Sequence, residues 1–376
     1  MIGILTFHRA LNYGALLQAY SLFQYLNNDN NIEIIDFLPE NNWTDTAYLI
    51  SLNSKYALAR NIYSILSFPF IRKRKRCFAE FIGKHIKLSK DHDIDASHLP
   101  EVIRKNNYDT VICGSDQIWN AKLPDSDISF LLPNIKGVKK IAYAASIGKG
   151  DFEDFNNSNL VRESILDYKY ISVREIATLD KLKKFAELTA EVSVVVDPTL
   201  LVDKSVFHKI ASDRIVRGSY IFLYTVVGRE ETIEAAERLS KRTKLPVYTL
   251  FSGRPKKWWV KYRNHVPNGD IGPAGFLAMI RDANYVVTDS FHGTVFSLIF
   301  KKNSFFIKKK ENGILTRDER IGQLCDLFQI NERYIDNKLI SNIALTQNID
   351  WERIDELHKK MSYDSRAFLE KALESS

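Results

Sequence analysis

The chain has 376 residues, of which 45% are hydrophobic, 12% aromatic and 26% charged; it can bury substantial cores and is long for one domain, so two are expected. Lys plus Arg exceed Asp plus Glu by 53 to 46, for a net charge of +7. That mild excess suits anionic substrates or a membrane surface and calls for no nucleic-acid partner. Three widely spaced cysteines, Cys77, Cys113 and Cys325, form no CxxC pair, which argues against a zinc site or a disulfide framework and for a reducing compartment.

Short apolar strands alternate with helical patterns, which predicts α/β layers with mainly parallel sheets. Ile2 to Thr6 reads as a first strand and not a signal peptide, since no basic region precedes it. A helix is expected over Gly14 to Asn27. The loop between them, TFHRALNYGA, sets His8, Arg9 and Asn12 at the carboxyl edge of the sheet. Asn12 also suits a helix cap and Gly14 tight packing, and GxGxxG is absent. After a strand at Ile32 to Phe37 comes an excursion over about 39–107. Within it, Ile50 to Ile71 is broken by Lys55, Arg60 and Pro69 and falls short of the roughly 20 apolar residues of a membrane span. The run Arg72 to Arg76 fits a solvated helix face or an anionic lipid surface, where each exposed cation contributes about 1 kcal/mol.

A strand at Thr110 to Cys113 leads into CGSDQIWN. There Asp116, Gln117 and Asn120 suit sugar hydroxyls and Trp119 an apolar ring face; a turn around a partly buried Trp fits as well. Strands at Lys140 to Ala145, Tyr170 to Val173 and Ser193 to Val196 alternate with helices at Leu160 to Asp167 and Glu175 to Phe185. The small residues of YAASIG permit close backbone approach. Arg174 stands where a strand gives way to a helix, able to hold a carboxylate or phosphate bidentately or to pair with an acidic neighbour.

The segment DPTLL (Asp197 to Leu201) ends the β-rich run, and the expected division is 1–205, 206–345 and a terminal helical segment 346–376. The second domain repeats the alternation, with strands at Tyr220 to Val226, Val247 to Phe251, Tyr285 to Val287 and Ser304 to Ile307. Helices are expected over Glu230 to Arg242, Pro273 to Asp282 and Thr294 to Phe300. Lys256 to Arg263 interleaves cations with aromatics, fitting a glycan, a lipid interface or a nucleic-acid strand. Trp351 to Leu373 reads as one or two amphipathic helices docking on the body.

The junction TDSFHGTVFSLIF is the most informative stretch. Asp289 and Ser290 are helix-cap residues, and the N–H groups near His292, Gly293 and Thr294 are expected to face an anion above the sheet. His292 is then either a general acid beside that anion or a packed side chain. Lys308 follows the next strand and is expected to approach the same cleft, although Lys308 to Lys310 also reads as a solvated turn.

Taken together, TFHRALNYGALLQAYSL, ICGSDQIWN, YAASIG, SVRE, VVDPTLL and TDSFHGTVFSLIF resemble the polysaccharide pyruvyl transferase family over roughly Ile2 to Ile330. The resemblance implies two Rossmann-like domains in a GT-B-like arrangement with a cleft between them. It implies phosphoenolpyruvate as donor and a saccharide, in some pathways lipid-linked, as acceptor. Pyruvate becomes a cyclic ketal and phosphate leaves, in surface or capsular polysaccharide synthesis. By similarity His292 is the general acid, and Arg174 binds the donor together with Ser290, Phe291, Gly293, Thr294 and, as an addition, Lys308. The acceptor would fall to His8, Asn12, Asp116, Gln117 and Trp119. No metal or other cofactor is expected, and the location is cytoplasmic with peripheral contact to the inner membrane face. Some members carry an acidic residue after the N-terminal Asn-x-Gly where this chain has Ala15, which leaves the acceptor type open. A nucleotide-sugar glycosyltransferase and a non-catalytic glycan-binding protein are the competing functions.

Overall fold

The computed structural model describes residues 1–27, 31–39, 72–188, 191–226, 228–251, 271–342 and 349–374. The weakly polar stretch Ile50 to Ile71 and the aromatic–basic stretch Lys256 to Arg263 lie outside the described residues.

The first lobe runs β1 (Ile2–Leu5), α1 (Tyr13–Leu26), β2 (Ile32–Ile34), α2 (72–85), α3 (Leu99–Lys105), β3 (Thr110–Asp116), β4 (Lys139–Ala145), α4 (Ser158–Leu166), β5 (Tyr170–Val173), α5 (Ile176–Phe185) and β6 (Val192–Val194). Its six strands pair in parallel in the order β2-β1-β3-β4-β5-β6. Because helices cover both faces, the central strands are buried on both sides, which is why β1 and β3 read as apolar runs and not as alternating patterns. At the end of β3, Gly114 takes φ +125°, and a Cβ there would lie 2.0 Å from the Tyr143 carbonyl oxygen. Only glycine lets β3 pass this close to β4 before Asp116 turns out of the sheet.

The second lobe runs α6 (Lys204–Ile210), β7 (Ile221–Thr225), α7 (Glu230–Thr243), β8 (Val247–Phe251), α8 (Pro273–Arg281), β9 (Tyr285–Thr288), α9 (Phe291–Ile299), β10 (Asn303–Ile307), the hairpin β11 (Lys309–Glu311) and β12 (Ile314–Thr316), α10 (Glu319–Leu327), β13 (Tyr334–Ile335) and α11 (Trp351–Glu374). Its parallel sheet has the order β13-β10-β9-β7-β8. The polar stretch after Asp203 contains α6, capped by Asp203.

One hydrophobic cluster runs through both lobes, joining Leu16 and Tyr20 of α1 to Phe222, Phe276 and Phe296. Tyr13 stacks on Phe276 at 4.9 Å between ring centroids, and its hydroxyl donates to the Ile271 carbonyl at 2.9 Å. The terminal segment is a single helix, α11, that ties the lobes together. Lys301 of the second lobe pairs with Asp355 at 2.7 Å. Further along, His358 and Ser362 donate to the Leu200 carbonyl at 2.8 and 2.6 Å, and the Val196 N–H donates to Ser365 at 3.0 Å. Among the described residues no helix is long and apolar enough to cross a membrane.

The basic run 72–76 begins α2, and it does not present five cations to one surface. Arg74 is buried, stacks over Tyr13 at 5.0 Å and Phe78 at 5.5 Å, and donates to the Leu11 carbonyl. It belongs to the contact between α1 and α2. Arg76 is exposed and paired with Glu80 at 2.7 Å.

Candidate active site

The carboxyl edges of the two sheets meet, and four strand ends deliver one buried charged cluster. Arg174 leaves β5, Asp197 follows β6, Asp116 ends β3, and His292 sits in the first turn of α9 after β9. Arg174 Nη1 donates to Asp197 Oδ2 at 2.8 Å and its Nε to Glu175 Oε1 at 2.7 Å; Nη2 stands 3.6 Å from Asp116 Oδ1. The guanidinium also covers the ring of Phe291 at 4.3 Å, a cation–π contact across the lobes. His292 Nε2 stands 3.5 Å from Asp197 Oδ2, too far for a good hydrogen bond and near enough for charge attraction. Asp197 Oδ1 accepts from the Thr199 hydroxyl at 2.7 Å and N–H at 3.0 Å. The two predicted residues Arg174 and His292 thus converge on one carboxylate that sequence reasoning had given no role.

Burial opposes the charge on Arg174, and the carboxylates of Glu175, Asp197 and Asp116 more than reverse that, holding its pKa above the ordinary value. Burial likewise pushes Asp197 up, while His292, Arg174 and the Thr199 hydrogen bond pull it below the usual carboxylate range. Two donors in the cluster are left over: Arg174 Nη2 and His292 Nε2 are buried with no hydrogen-bond partner. An unpaired buried donor is costly, so Arg174 Nη2 is free to bond an acceptor oxygen of a ligand and His292 Nε2 is free to exchange a proton with one.

His292 is fixed from both lobes. A Cβ added to Gly14 would lie 2.1 Å from His292 Nδ1, so the first turn of α1 approaches the ring because it carries no side chain there. Gln323 of α10 reaches across to the first lobe beside Arg174, donating to the Arg174 carbonyl at 3.0 Å and accepting from the Ile176 N–H at 2.8 Å.

The remaining predicted residues divide. Ser290, and not Asp289, caps α9, which begins at Phe291, three residues before the expected Thr294. Ser290 Oγ takes the Gly293 N–H at 3.3 Å, and the Ser290 carbonyl takes the Thr294 N–H at 2.9 Å and hydroxyl at 3.0 Å. The expected free donors at Gly293 and Thr294 are therefore engaged within the helix. Asp289 instead accepts from the hydroxyls of Thr225 and Thr232, both at 3.1 Å. Lys308 does not join His292; its ammonium lies over the Tyr334 ring at 5.4 Å, beside edge strand β13, while Lys309 is buried on Asp318. Asn12 caps α1, accepting from Gly14 N–H at 3.0 Å and Ala15 N–H at 3.4 Å. Gln117 accepts from Asn120 at 3.1 Å beside Gly148. Trp119 is wholly buried between Phe152 and Tyr168, so its indole is core and does not cover a sugar ring. His8 is also buried, with Nε2 2.9 Å from Asp36 Oδ1. Among the described residues no group of three or more His, Cys, Asp or Glu is arranged to hold a metal ion.

Asp36, Asp197 and Asp318 are all buried with pKa values held below the ordinary carboxylate value. A depressed folded pKa contributes stability that is present above the unfolded value and lost as pH falls through the folded one. Thermal unfolding followed by circular dichroism should therefore give a flat Tm from neutrality to about pH 5 and a steep fall below about pH 4. A Tm unchanged at pH 3 would contradict the charged assignment of these carboxylates.

Two parallel α/β lobes meeting at their carboxyl edges over a buried ionic cluster define a GT-B-like fold. The profile of the polysaccharide pyruvyl transferase family matches residues 12–308; the chain belongs to that family and is a transferase. Solved structures agree on the fold. UDP-GlcNAc 2-epimerase from Neisseria meningitidis, bound to UDP-GlcNAc, superposes with a TM-score of 0.53 at 10% identity over 100% of this chain and 99% of its own. MnaA from S. aureus with UDP gives 0.52 at 13% identity over 98% and 94%. A UDP-N-acetylglucosamine 2-epimerase from Listeria monocytogenes, described as putative, gives 0.52 at 10% over 96% and 89%. No curated protein matches the sequence.

Proposed function

We propose that the protein transfers the pyruvyl group of phosphoenolpyruvate onto two hydroxyls of a saccharide, forming a cyclic ketal and releasing phosphate. The observation that carries this reading is the pair of unpartnered buried donors, Arg174 Nη2 and His292 Nε2, set around Asp197. Phosphoenolpyruvate brings a carboxylate and a phosphate for the guanidinium and an electron-rich methylene carbon for the imidazolium.

The steps balance. His292 delivers a proton to C3, leaving an oxocarbenium-like C2 that the first acceptor hydroxyl attacks. That hydroxyl's proton goes to Asp116, whose carboxylate faces Arg174 at 3.6 Å. The C2–O bond to phosphate then breaks, the departing phosphate taking up the proton held by Asp116, and the second hydroxyl attacks the oxocarbenium-like C2 to close the ring while its proton returns to the neutral imidazole of His292. Fixed positive charge from Arg174 stabilises the departing phosphate, and the proposal includes no obligatory metal. Membrane contact, if the acceptor is lipid-linked, falls to the exposed part of the basic run, Arg72, Lys73 and Arg76.

The test is incubation of the purified protein with phosphoenolpyruvate and a panel of glycans and lipid-linked sugars, with and without EDTA, measuring phosphate release and product mass. Phosphate release with the mass gain of a pyruvyl ketal, unaffected by EDTA, is the expected result. Transfer from a nucleotide sugar with none from phosphoenolpyruvate would sink the proposal in favour of glycosyl transfer.

A further inference from the structure

A cavity of about 480 Å³ opens between the β1–β2 edge and α2, away from the Asp197 cluster. Its floor is Asp36, which is fully buried. Oδ1 accepts from His8 Nε2 at 2.9 Å and Arg9 Nε at 2.6 Å; Oδ2 accepts from Arg9 Nη2 and from His92 Nδ1 at 2.9 Å. Burial pushes the Asp36 carboxyl up, and the hydrogen bonds of His8, Arg9 and His92 reverse that and leave it charged. The opposite wall is mainly apolar, with Phe78 and Ile82 from α2 and Leu88 beyond it, and Lys75 of α2 stands at one end.

An ion cluster serving only to pin β2 against its neighbours would be closed over by side chains. Here Arg9 and His92 remain 34% and 62% exposed while held by the Asp36 carboxylate beneath them, with the exposed Asp93 pairing Arg9 at 3.0 Å from the rim. Fixed polar groups facing an aliphatic wall in a cavity of several hundred Å³ match the usual make-up of a small-molecule site. The combination suits a pyranose, whose hydroxyls meet the polar floor and whose C–H face meets the wall.

Position supports the same ligand. Ligands of open α/β sheets bind beyond the carboxyl ends of strands, and His8 and Asp36 follow β1 and β2 directly. The loop that begins at His8 in this cavity runs through Leu11, which also lines it, and ends in the turn of α1 where Gly14 abuts His292. One short loop therefore links the cavity to the acid. The geometry points to this cavity as a saccharide subsite that holds the acceptor, or the sugar next to the reacting one, while its neighbour reaches His292. Its role in turnover rests on the pyruvyl-transfer reading; saccharide binding in it does not.

Ala79 and Gly83 line the cavity from exposed positions on α2, and a Cβ on Gly83 meets nothing within 4 Å. Ala79→Trp and Gly83→Leu should fill the space without disturbing the core, and Gly83→Ala serves as the control. Methyl glycosides of hexoses, hexosamines and hexuronic acids would be offered to each protein without donor and binding read by saturation-transfer NMR, with phosphoenolpyruvate affinity measured in parallel by calorimetry. Wild type and Gly83→Ala should bind at least one glycoside, the filled variants should bind it about tenfold more weakly or not at all, and phosphoenolpyruvate affinity should be equal in all. Binding that survives both filled variants, or no binding of any glycoside by wild type, overturns the subsite. Glycoside binding lost on filling in a protein that never consumes phosphoenolpyruvate retains the subsite and removes pyruvyl transfer.

Discussion

His292→Ala is expected to lower kcat for pyruvyl transfer by on the order of 10²–10⁴-fold, the usual contribution of a positioned general acid, with phosphoenolpyruvate affinity close to wild type. Asp197 keeps its bonds to Arg174 and Thr199 when the imidazole is removed, so the Arg174 guanidinium stays where it is and the expected loss belongs to chemistry. Stopped-assay phosphate release for kcat, and calorimetry with phosphoenolpyruvate for binding, separate the two. His292→Gln, which restores bulk against Gly14 without a transferable proton, should be as inactive as alanine. An unchanged kcat in either variant would remove His292 from the role of acid.

Arg174→Ala carries the largest combined effect. The guanidinium is buried together with Glu175 and Asp197, and removing one partner of a buried ionic group costs about 3–5 kcal/mol because the remaining charge is stranded. A lowered denaturant midpoint should accompany the loss of measurable phosphoenolpyruvate binding. Arg174→Lys separates these effects. It keeps the positive charge and so much of the stability, but one ammonium cannot bond Asp197 and Glu175 and still aim a donor at the ligand. It should fold with a midpoint nearer wild type and still bind donor poorly. Wild-type donor affinity in the lysine variant would show that the fork geometry is unimportant.

The two-lobed α/β plan was legible because parallel strands buried on both faces leave uninterrupted apolar runs, as at Val286 and Val287, and turn residues punctuate them. The placing of Arg174 and His292 at the sheet edges was legible for the same topological reason: Arg174 follows β5 directly, and His292 lies in the helix turn that comes just after β9. Asp197 was not, since one acid before a proline has many ordinary explanations and its partners arrive from β5 and α9. Of the two readings of Trp119, the ring platform fails and burial goes further than the partly buried turn, because Phe152 and Tyr168, which enclose it, come from other elements. That Lys308 lies over Tyr334 and not beside His292 depends on the register of a short strand end that no local pattern encodes. The early start of α9 at Phe291 follows from Ser290 capping a turn that contains Gly293, a residue that argues against helix when read alone.

The histidine packed against Gly14 and facing Asp197 also bears on how such a protein can change over generations. Its imidazole comes from one lobe, while the carboxylate and the side-chain-free surface that complete its setting come from the other. The lobes are therefore not interchangeable modules. A chimaera that exchanged the second lobe for that of a distant relative would need a compatible α1 turn as well as an intact Asp197.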